Sequence, residues 1–368
     1  MPKPGQNEAY MRLTFLIIII SLCITAYARD IFPVPQGDFA PLCYTVQKAY
    51  GDIIIDGHPY EEAWTKAAWT ADFVDIEGSL KPLPYLNTRA KMLWSERGLY
   101  IAAELEEPRV WATITQRDAV IFHDNDFEVF IDPDGDTHDY YELEINAFNT
   151  VWDLLLIKPY RDRDQVAVNS WDIKGLQTAV NIDDISNNPK DRERGWQIEM
   201  LLPWESLAEC AHMPCPPRDG DYWRMNFSRV QWQSVVQDGR FVKHPLFPEM
   251  NWVWSPQGLV AMHYPERWGY IFFSHTNAGE VLLQPALPLK ESTKEYLRQL
   301  YYLQKQFHMD KGYYAKSIKK LGAKPYLVAG RKIPVNIQRT DQSYIISLKL
   351  SSTEATLHIR EDGLIWEK

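Results

Sequence analysis

Apolar and polar residues alternate with a period of two along most of this chain, and the pattern is clearest between Asp124 and Asn146. Phe127, Val129 and Ile131 alternate with Asp126, Glu128, Phe130 and Asp132. On the return, Leu143 and Ile145 alternate with Glu142, Glu144 and Asn146. Successive side chains of a strand point to opposite faces. The stretch therefore predicts a hairpin with one core face and one face of carboxylates around an aromatic ring. Pro133, Asp134 and Gly135 supply the turn chemistry between its strands.

The same alternation predicts strands at Ile53–Ile55, Asn87–Trp94, Leu99–Glu106, Val151–Ile157, Gly195–Leu202, Tyr222–Trp232 and Trp268–Ser274. A helical turn is predicted at Trp204–Leu207. Many short strands with turn signals between them predict an all-β fold over residues 44–275, an immunoglobulin-like or jelly-roll β-sandwich. After Asn277 the period changes. Tyr296, Leu300, Leu303 and Phe307 recur at helical spacing, so Lys290–Leu321 reads as helical, punctuated by Gly312 and Gly322. Strands are then expected at Tyr344–Leu350 and Ala355–Ile359, so residues 276–368 read as a small C-terminal α+β appendage. Its helix either packs back on the sandwich or offers a face to a protein partner. Upstream, the Pro-rich residues 29–43 read as a linker or wrapping arm.

The formal net charge of −10 argues against nucleic acid or an anionic membrane as the main partner. The apolar run Leu13–Ile24 is too short to span a bilayer. It follows Arg12 and ends at Ala26-Tyr27-Ala28, a cleavage signature, so residues 1–28 predict a secretory signal peptide. The expected mature chain begins near Arg29, is not transmembrane, and is exported to the periplasm, the cell surface or the medium. Ile20-Ser21-Leu22-Cys23 is a poor lipobox, which disfavours a lipoprotein. Of the remaining cysteines, Cys210 and Cys215 are near enough to bridge around Met213-Pro214. Three free thiols, with Cys43, are an equally good reading.

The acidic face carries the candidate chemistry. Residues directly opposite on paired strands have Cβ atoms about 4.5–5.5 Å apart, and like charges so placed are destabilising. Such a row can hold sugar hydroxyls, a cation or a proton to be moved, or it can simply be solvated. A carboxylate pair about 5–5.5 Å apart also suits a retaining glycosidase. The turn residues Asp132, Asp134 and Asp136 are candidate calcium ligands, against the plainer reading of a hairpin loop. Trp111, Phe122, Trp254 and Tyr264 are candidate stacking platforms for sugar rings, with Arg117 and His263 as hydrogen-bonding neighbours. No nucleophile elbow, phosphate loop, dinucleotide fingerprint or zinc-protease motif is present. Met250, Met262, His244 and His263 include residue types that ligate haem. Buried methionine and satisfied histidine are commoner, so no organic cofactor is expected.

Several segments, in order, resemble the family 9 carbohydrate-binding modules of secreted bacterial proteins. They are Ile55-Asp56-Gly57 with Glu62-Ala63-Trp64, Leu93-Trp94 with Leu99-Tyr100-Ile101-Ala102, and Asp126 to Asp132. Tyr141 to Asn146, Trp196 with Glu199 and Pro203-Trp204, and Pro265-Glu266-Arg267-Trp268-Gly269 complete the set. The resemblance covers about residues 44–275. It implies a β-sandwich that binds glycans without cleaving them, often with structural calcium. It further implies two aromatic rings around a terminal sugar, with a Glu, an Arg and an Asn hydrogen-bonded to it. Glu128 matches that glutamate, and Phe122 falls near the first ring. Glu144 stands where the arginine is expected and Met262 where the second ring is, with Trp254 and Tyr264 close by in sequence.

The expectation is therefore an exported, non-catalytic protein that binds a polysaccharide or oligosaccharide in glycan capture or catabolism. Its expected contacts are Glu128, Glu144, Phe122, Arg117, Trp111, Trp254, His263 and Tyr264, and its expected calcium ligands Asp132, Asp134 and Asp136. The alternative is a glycoside hydrolase, or an accessory domain of one, using a carboxylate pair on the acidic face.

Overall fold

The computed structural model describes residues 31–162, 165–182, 195–282, 285–351 and 353–368. The expected signal peptide and Cys23 lie outside the described residues. Strands β1 (Cys43–Lys48), β2 (Val74–Asp75), β3 (Thr88–Ser95), β4 (Gly98–Glu106), β5 (Asp126–Asp132), β6 (Tyr140–Asn146), β7 (Val151–Leu156) and β8 (Ala167–Val168) come first. They are followed by β9 (Gln177–Ile182), β10 (Gly195–Pro203), β11 (Tyr222–Gln231), β12 (Ser234–Gln237), β13 (Arg240–Lys243), β14 (Met250–Val253) and β15 (Gly269–Asn277). Hydrogen bonding runs β8-β7-β6-β5-β11-β15-β1-β3-β4-β10-β9, with β14 and β2 attached through β11. β1 joins the two halves, pairing in parallel with both β15 and β3.

The halves face each other across one core, so the fold is a β-sandwich. Met92 and Trp94 of β3, Ile101 and Ala103 of β4, and Ile198 and Met200 of β10 come from one side. Phe127 and Val129 of β5, Leu143 and Ile145 of β6, and Met225 and Phe227 of β11 come from the other. Phe127, Val129, Leu143 and Ile145 are alternate positions that the sequence assigns to the core, and burial of the whole set is the main stabilising term. The rings of Phe73, Phe127 and Phe227 stack in the middle, with centroids 5.4–6.3 Å apart.

Ile53–Ile55 is not a strand. Its neighbourhood gives its backbone donors to side chains instead. Glu61 accepts from the Ile54 N–H, and Glu199 accepts from Asp56 and Gly57. Gly57 has φ +89°, and a Cβ there would lie 2.9 Å from the Asn181 nitrogen, so only glycine fits. Ile53 still serves the core, packing beside Trp64 of the short helix α1 (Glu62–Lys66). The predicted turn after β10 is α2 (Trp204–Leu207).

Helix α3 (Leu289–Lys311) ends well before Leu321. Gly312 adopts the left-handed conformation, φ +75°, and its N–H caps the carbonyl of His308. The chain then turns back, and Gln304 satisfies both the N–H and the C=O of Ala315. After it come β16 (Leu327–Val328), β17 (Arg331–Lys332), β18 (Val335–Arg339), β19 (Tyr344–Lys349), β20 (Thr356–Arg360) and β21 (Ile365–Glu367). The last four form an antiparallel sheet in sequence order.

The helix lies between that sheet and the sandwich. Leu297, Leu300 and Tyr301 pack with Ile346, Ile359 and Ile365, and Phe32 of the N-terminal arm joins the same core. Toward the sandwich, Glu291 pairs with Arg224 at 3.4 Å and the Tyr302 hydroxyl donates to Glu266 at 2.6 Å. The arm thus wraps rather than dangles, and the helix buries both its apolar stripe and its charged stripe within the protein. Cys43, Cys210 and Cys215 are free thiols, so the bridge is not the reading the structure takes. The Cys215 thiol donates to the Trp204 carbonyl instead.

Candidate functional site

Both faces of the β5–β6 hairpin are buried. Asp126 is 0%, Glu128 4%, Glu142 5% and Glu144 1% exposed, which rules out a solvated acidic face. Register places Glu144 opposite Glu128, Ser228 of β11 on the other side of Glu128, and Trp152 of β7 beyond Glu144. Four adjacent strands thus carry one transverse row: Trp152, Glu144, Glu128, Ser228.

A cavity of about 410 Å3 lies over this row, within the range of small-molecule sites. Glu128, Glu142, Glu144 and Glu249 line it with the rings of Phe122, Phe130, Trp152 and Tyr160. Asn251, Met262 and His263 close the opposite side, and among the described residues no Lys or Arg lines it.

Electrostatics follow from that composition. Burial pushes the Glu128 carboxyl up to about 7. Burial first, and then the charge of Glu128, raise Glu142 and Glu144 well above the usual carboxylate range. Burial and the nearby Arg161 hold His263 down at about 3, so its ring is neutral. The His263 Nδ1 lies 2.9 Å from the Tyr140 hydroxyl, and Tyr160 meets its ring edge-on at 4.5 Å. Glu144 accepts the Phe122 N–H at 2.9 Å, which ties the short 3-10 turn bearing Phe122 to the pocket wall. Glu128 Oε2 and the indole N–H of Trp152 are buried without a hydrogen-bond partner in the protein. One acceptor and one donor are therefore available at the pocket.

Of the residues expected at a binding site, Glu128, Glu144, Phe122 and His263 come together here. The other four do not line this cavity. Trp254 is 2% exposed and packs on Phe227 in the sandwich core. Tyr264 is buried against the C-terminal core, where Arg161 covers its ring and its hydroxyl donates to the Pro33 carbonyl. Trp111 is 4% exposed. Arg117 belongs to a separate surface depression and pairs with Asp153 and Asp172. Sequence reasoning missed Trp152, Tyr160 and Asn251. Trp152 carried a usable signal, since alternation along β7 puts it on the same face as Glu144. Tyr160 and Asn251 reach the pocket only through the tertiary fold.

The side-chain oxygens of Asp132, Asp134 and Asp136 do gather within 4.8 Å of one another. Burial and the two neighbouring aspartates raise Asp134 to about 9; burial and Asp132 raise Asp136 to about 7. Three carboxylates in one turn fit calcium in kind. The carbonyls of this turn are already engaged by the helix, Asp134 and Gly135 by Lys294 and Asp136 by Arg298.

Residues 55–213 match the family model described as carbohydrate family 9 binding domain-like. The same length of chain is 21% identical over 159 residues to exoglucanase XynX of Acetivibrio thermocellus, covering 43% of this chain and 12% of that enzyme. A candidate carbohydrate-binding protein of Bacteroides uniformis is similar at 16% identity and a TM-score of 0.48, over 64% of this chain and 100% of its own. A family 9 module of Caldicellulosiruptor kristjanssonii, solved with cellotriose, is similar at 15% identity and a TM-score of 0.43, over 67% and 100%. The exoglucanase match spans about an eighth of that enzyme. The similarity to the carbohydrate family 9 binding domain-like model is confined to residues 55–213, less than half of the chain.

Proposed function

We propose that the protein is an exported carbohydrate-binding protein that holds a glycan in the β5–β7 pocket without cleaving it. The observation that carries this reading is the pocket's mixed lining: buried carboxylates beside exposed faces of Phe122, Trp152 and Tyr160. Sugars need both surfaces, because their C–H faces stack on rings and their hydroxyls exchange hydrogen bonds with carboxyl groups. The side chains of Glu128 and Glu144 supply acceptors, and the Trp152 N–H supplies a donor. A retaining glycosidase sets its acid and its nucleophile on either side of the scissile bond. Here Glu128 and Glu144 are cross-strand neighbours, a spacing that such a pair also uses, so turnover is the measurement that separates the two readings. The leader read at residues 1–28 supports export, and with it a part in glycan capture or catabolism.

Calcium in the Asp132–Asp134–Asp136 turn is a second proposal, with coordination confined to the side chains. A fall in melting temperature on chelation, abolished by Asp134→Asn, would support it; an unchanged melt would remove it.

The binding reading is tested by a glycan array probed with the chain from Arg29 onward, with and without calcium. Binding to at least one glycan, weakened by Glu128→Gln, is expected. Silence across the array in both conditions overturns the proposal. Release of reducing sugar from a polysaccharide panel, lost in Glu128→Gln, would replace it with the hydrolase.

A further inference from the structure

The geometry points to a binding site for a hard divalent cation beneath the Glu128–Glu144 wall of this pocket, built by these two residues with the fully buried Asp126 and Ser228. Asp126 and Glu128 are two residues apart on β5, so they share a face. Glu144 and Ser228 are the register partners of Glu128 on either side. Oxygens of Asp126, Glu128 and Glu144 all lie within 4.8 Å of one another. Two ligands on opposite sides of a Ca2+ ion at about 2.4 Å are about 4.8 Å apart, so this set is compact enough to share one ion.

Three oxygens of the cluster point independently to a missing partner. Asp126 Oδ2, Glu128 Oε2 and Ser228 Oγ are buried and make no hydrogen bond in the protein. Among the described residues, no Lys or Arg is paired with them. Arg229, on the same strand as Ser228, is committed to Glu107 at 3.2 Å and to Gln231. The neighbouring Asp124 is satisfied by Thr113, Ile114 and Asn146 and stands outside the set. Burying like charges without compensation is costly, and one divalent ion removes most of that cost. An all-oxygen donor set selects Ca2+, Mg2+ or Mn2+ over zinc or copper. A cation here would stand where the resemblance leads one to expect an arginine, and would present positive charge to sugar oxygens in its place.

This inference shares the pocket of the proposed glycan site, but its test needs no glycan. Tb3+ is titrated into the chelator-treated chain from Arg29, carrying Asp134→Asn and Asp136→Asn so that the hairpin turn cannot contribute. Trp152, lining the same pocket, is the antenna for sensitised emission. Saturable emission displaced by Ca2+ is expected. Asp126→Asn and Glu144→Gln should each weaken it by about tenfold or more. Trp152→Phe should dim the emission while leaving the calorimetric heat of Ca2+ binding in place. Circular dichroism of each variant confirms the fold, and Ser228→Ala, the mildest change, gives a smaller loss in the same direction. No saturable emission and no Ca2+ heat, or a response indifferent to Asp126→Asn and Glu144→Gln, overturns the cation site. Glycan binding that persists in chelator would then leave the proposed function standing without it.

Discussion

Glu128 and Glu144 face each other across β5 and β6, both buried, at a register where opposed like charges are destabilising. The chain therefore carries a local conflict at the pocket that its core does not need. Relieving it should stabilise the metal-free protein. Glu144→Gln keeps a carbonyl oxygen to accept the Phe122 N–H and removes the ionisable group, and with it the cost of holding that group away from its preferred charged form. The expected gain is about 1 kcal/mol, read as a melting midpoint raised by about 1–3 °C in chelator-treated protein. A lower midpoint would show that the pair is not in conflict.

Glu199 illustrates the opposite case, a buried carboxylate with every contact in use. Its oxygens accept from the Asp56 and Gly57 N–H groups and from the Trp64 indole at 2.8–3.2 Å. Glu199→Ala leaves three donors unpaired, of which the Gly57 N–H and the Trp64 indole are buried, at about 1–3 kcal/mol for each that water does not reach. A loss of about 3 kcal/mol or more in denaturant unfolding is expected. Glu199→Gln, which retains an acceptor oxygen, should fall between. Wild-type stability in the alanine variant would mean that the loop before α1 contributes little to the fold.

The contact between α3 and the sandwich should weaken in acid. Burial alone would raise Glu291, but Lys294, Arg224 and the hydroxyls of Tyr270 and Tyr222 outweigh it and hold the carboxyl at about 2, below its usual 4.5. A depressed carboxylate contributes stability that is full above its unfolded value and is lost as pH falls through the folded one. The window is thus from about 4.5 down to about 2. The difference in unfolding free energy between wild type and Glu291→Gln should shrink steadily across that window. A difference that does not change with pH would mean that Glu291 is not charged in the folded protein.

The sandwich strands were legible because each buries alternate side chains in one common core, and that rule acts on neighbours in sequence. Ile53–Ile55 was misread because its apolar run is held by Glu61 and Glu199 rather than by a strand neighbour. The end of α3 was misread because a heptad-like spacing continues past Gly312, where the backbone turns left-handed. Of the pocket residues, Glu144 was legible from the alternation of the hairpin, Phe122 from the resemblance, and Glu128 from both. Trp254 and Tyr264 were not separable from true pocket rings, since a tryptophan in an aromatic run reads the same whether it faces a core or a ligand. The burial of the acidic face was invisible in sequence. It depends on β14 and residues 260–263 closing over strands more than a hundred positions away.

That distinction between rings gives the sharpest contrast. Trp152 lines the pocket with its indole N–H unpartnered, whereas Trp254 packs on Phe227 and against the backbone of Gly269 in the core. Trp152→Ala should weaken glycan binding by about three- to tenfold, the loss of one stacking contact of about 0.5–1.5 kcal/mol. Its melting midpoint should move little, because the ring is only partly buried. Trp254→Ala should do the reverse. Emptying a core position of that size costs about 3–5 kcal/mol, so the protein should melt markedly lower while retaining near-wild-type affinity well below its new midpoint. Paired calorimetric melts and glycan titrations on the two variants decide the matter. If Trp254→Ala abolishes binding in a protein shown to be folded, and Trp152→Ala does not affect it, the glycan lies at a different face from the β5–β7 pocket.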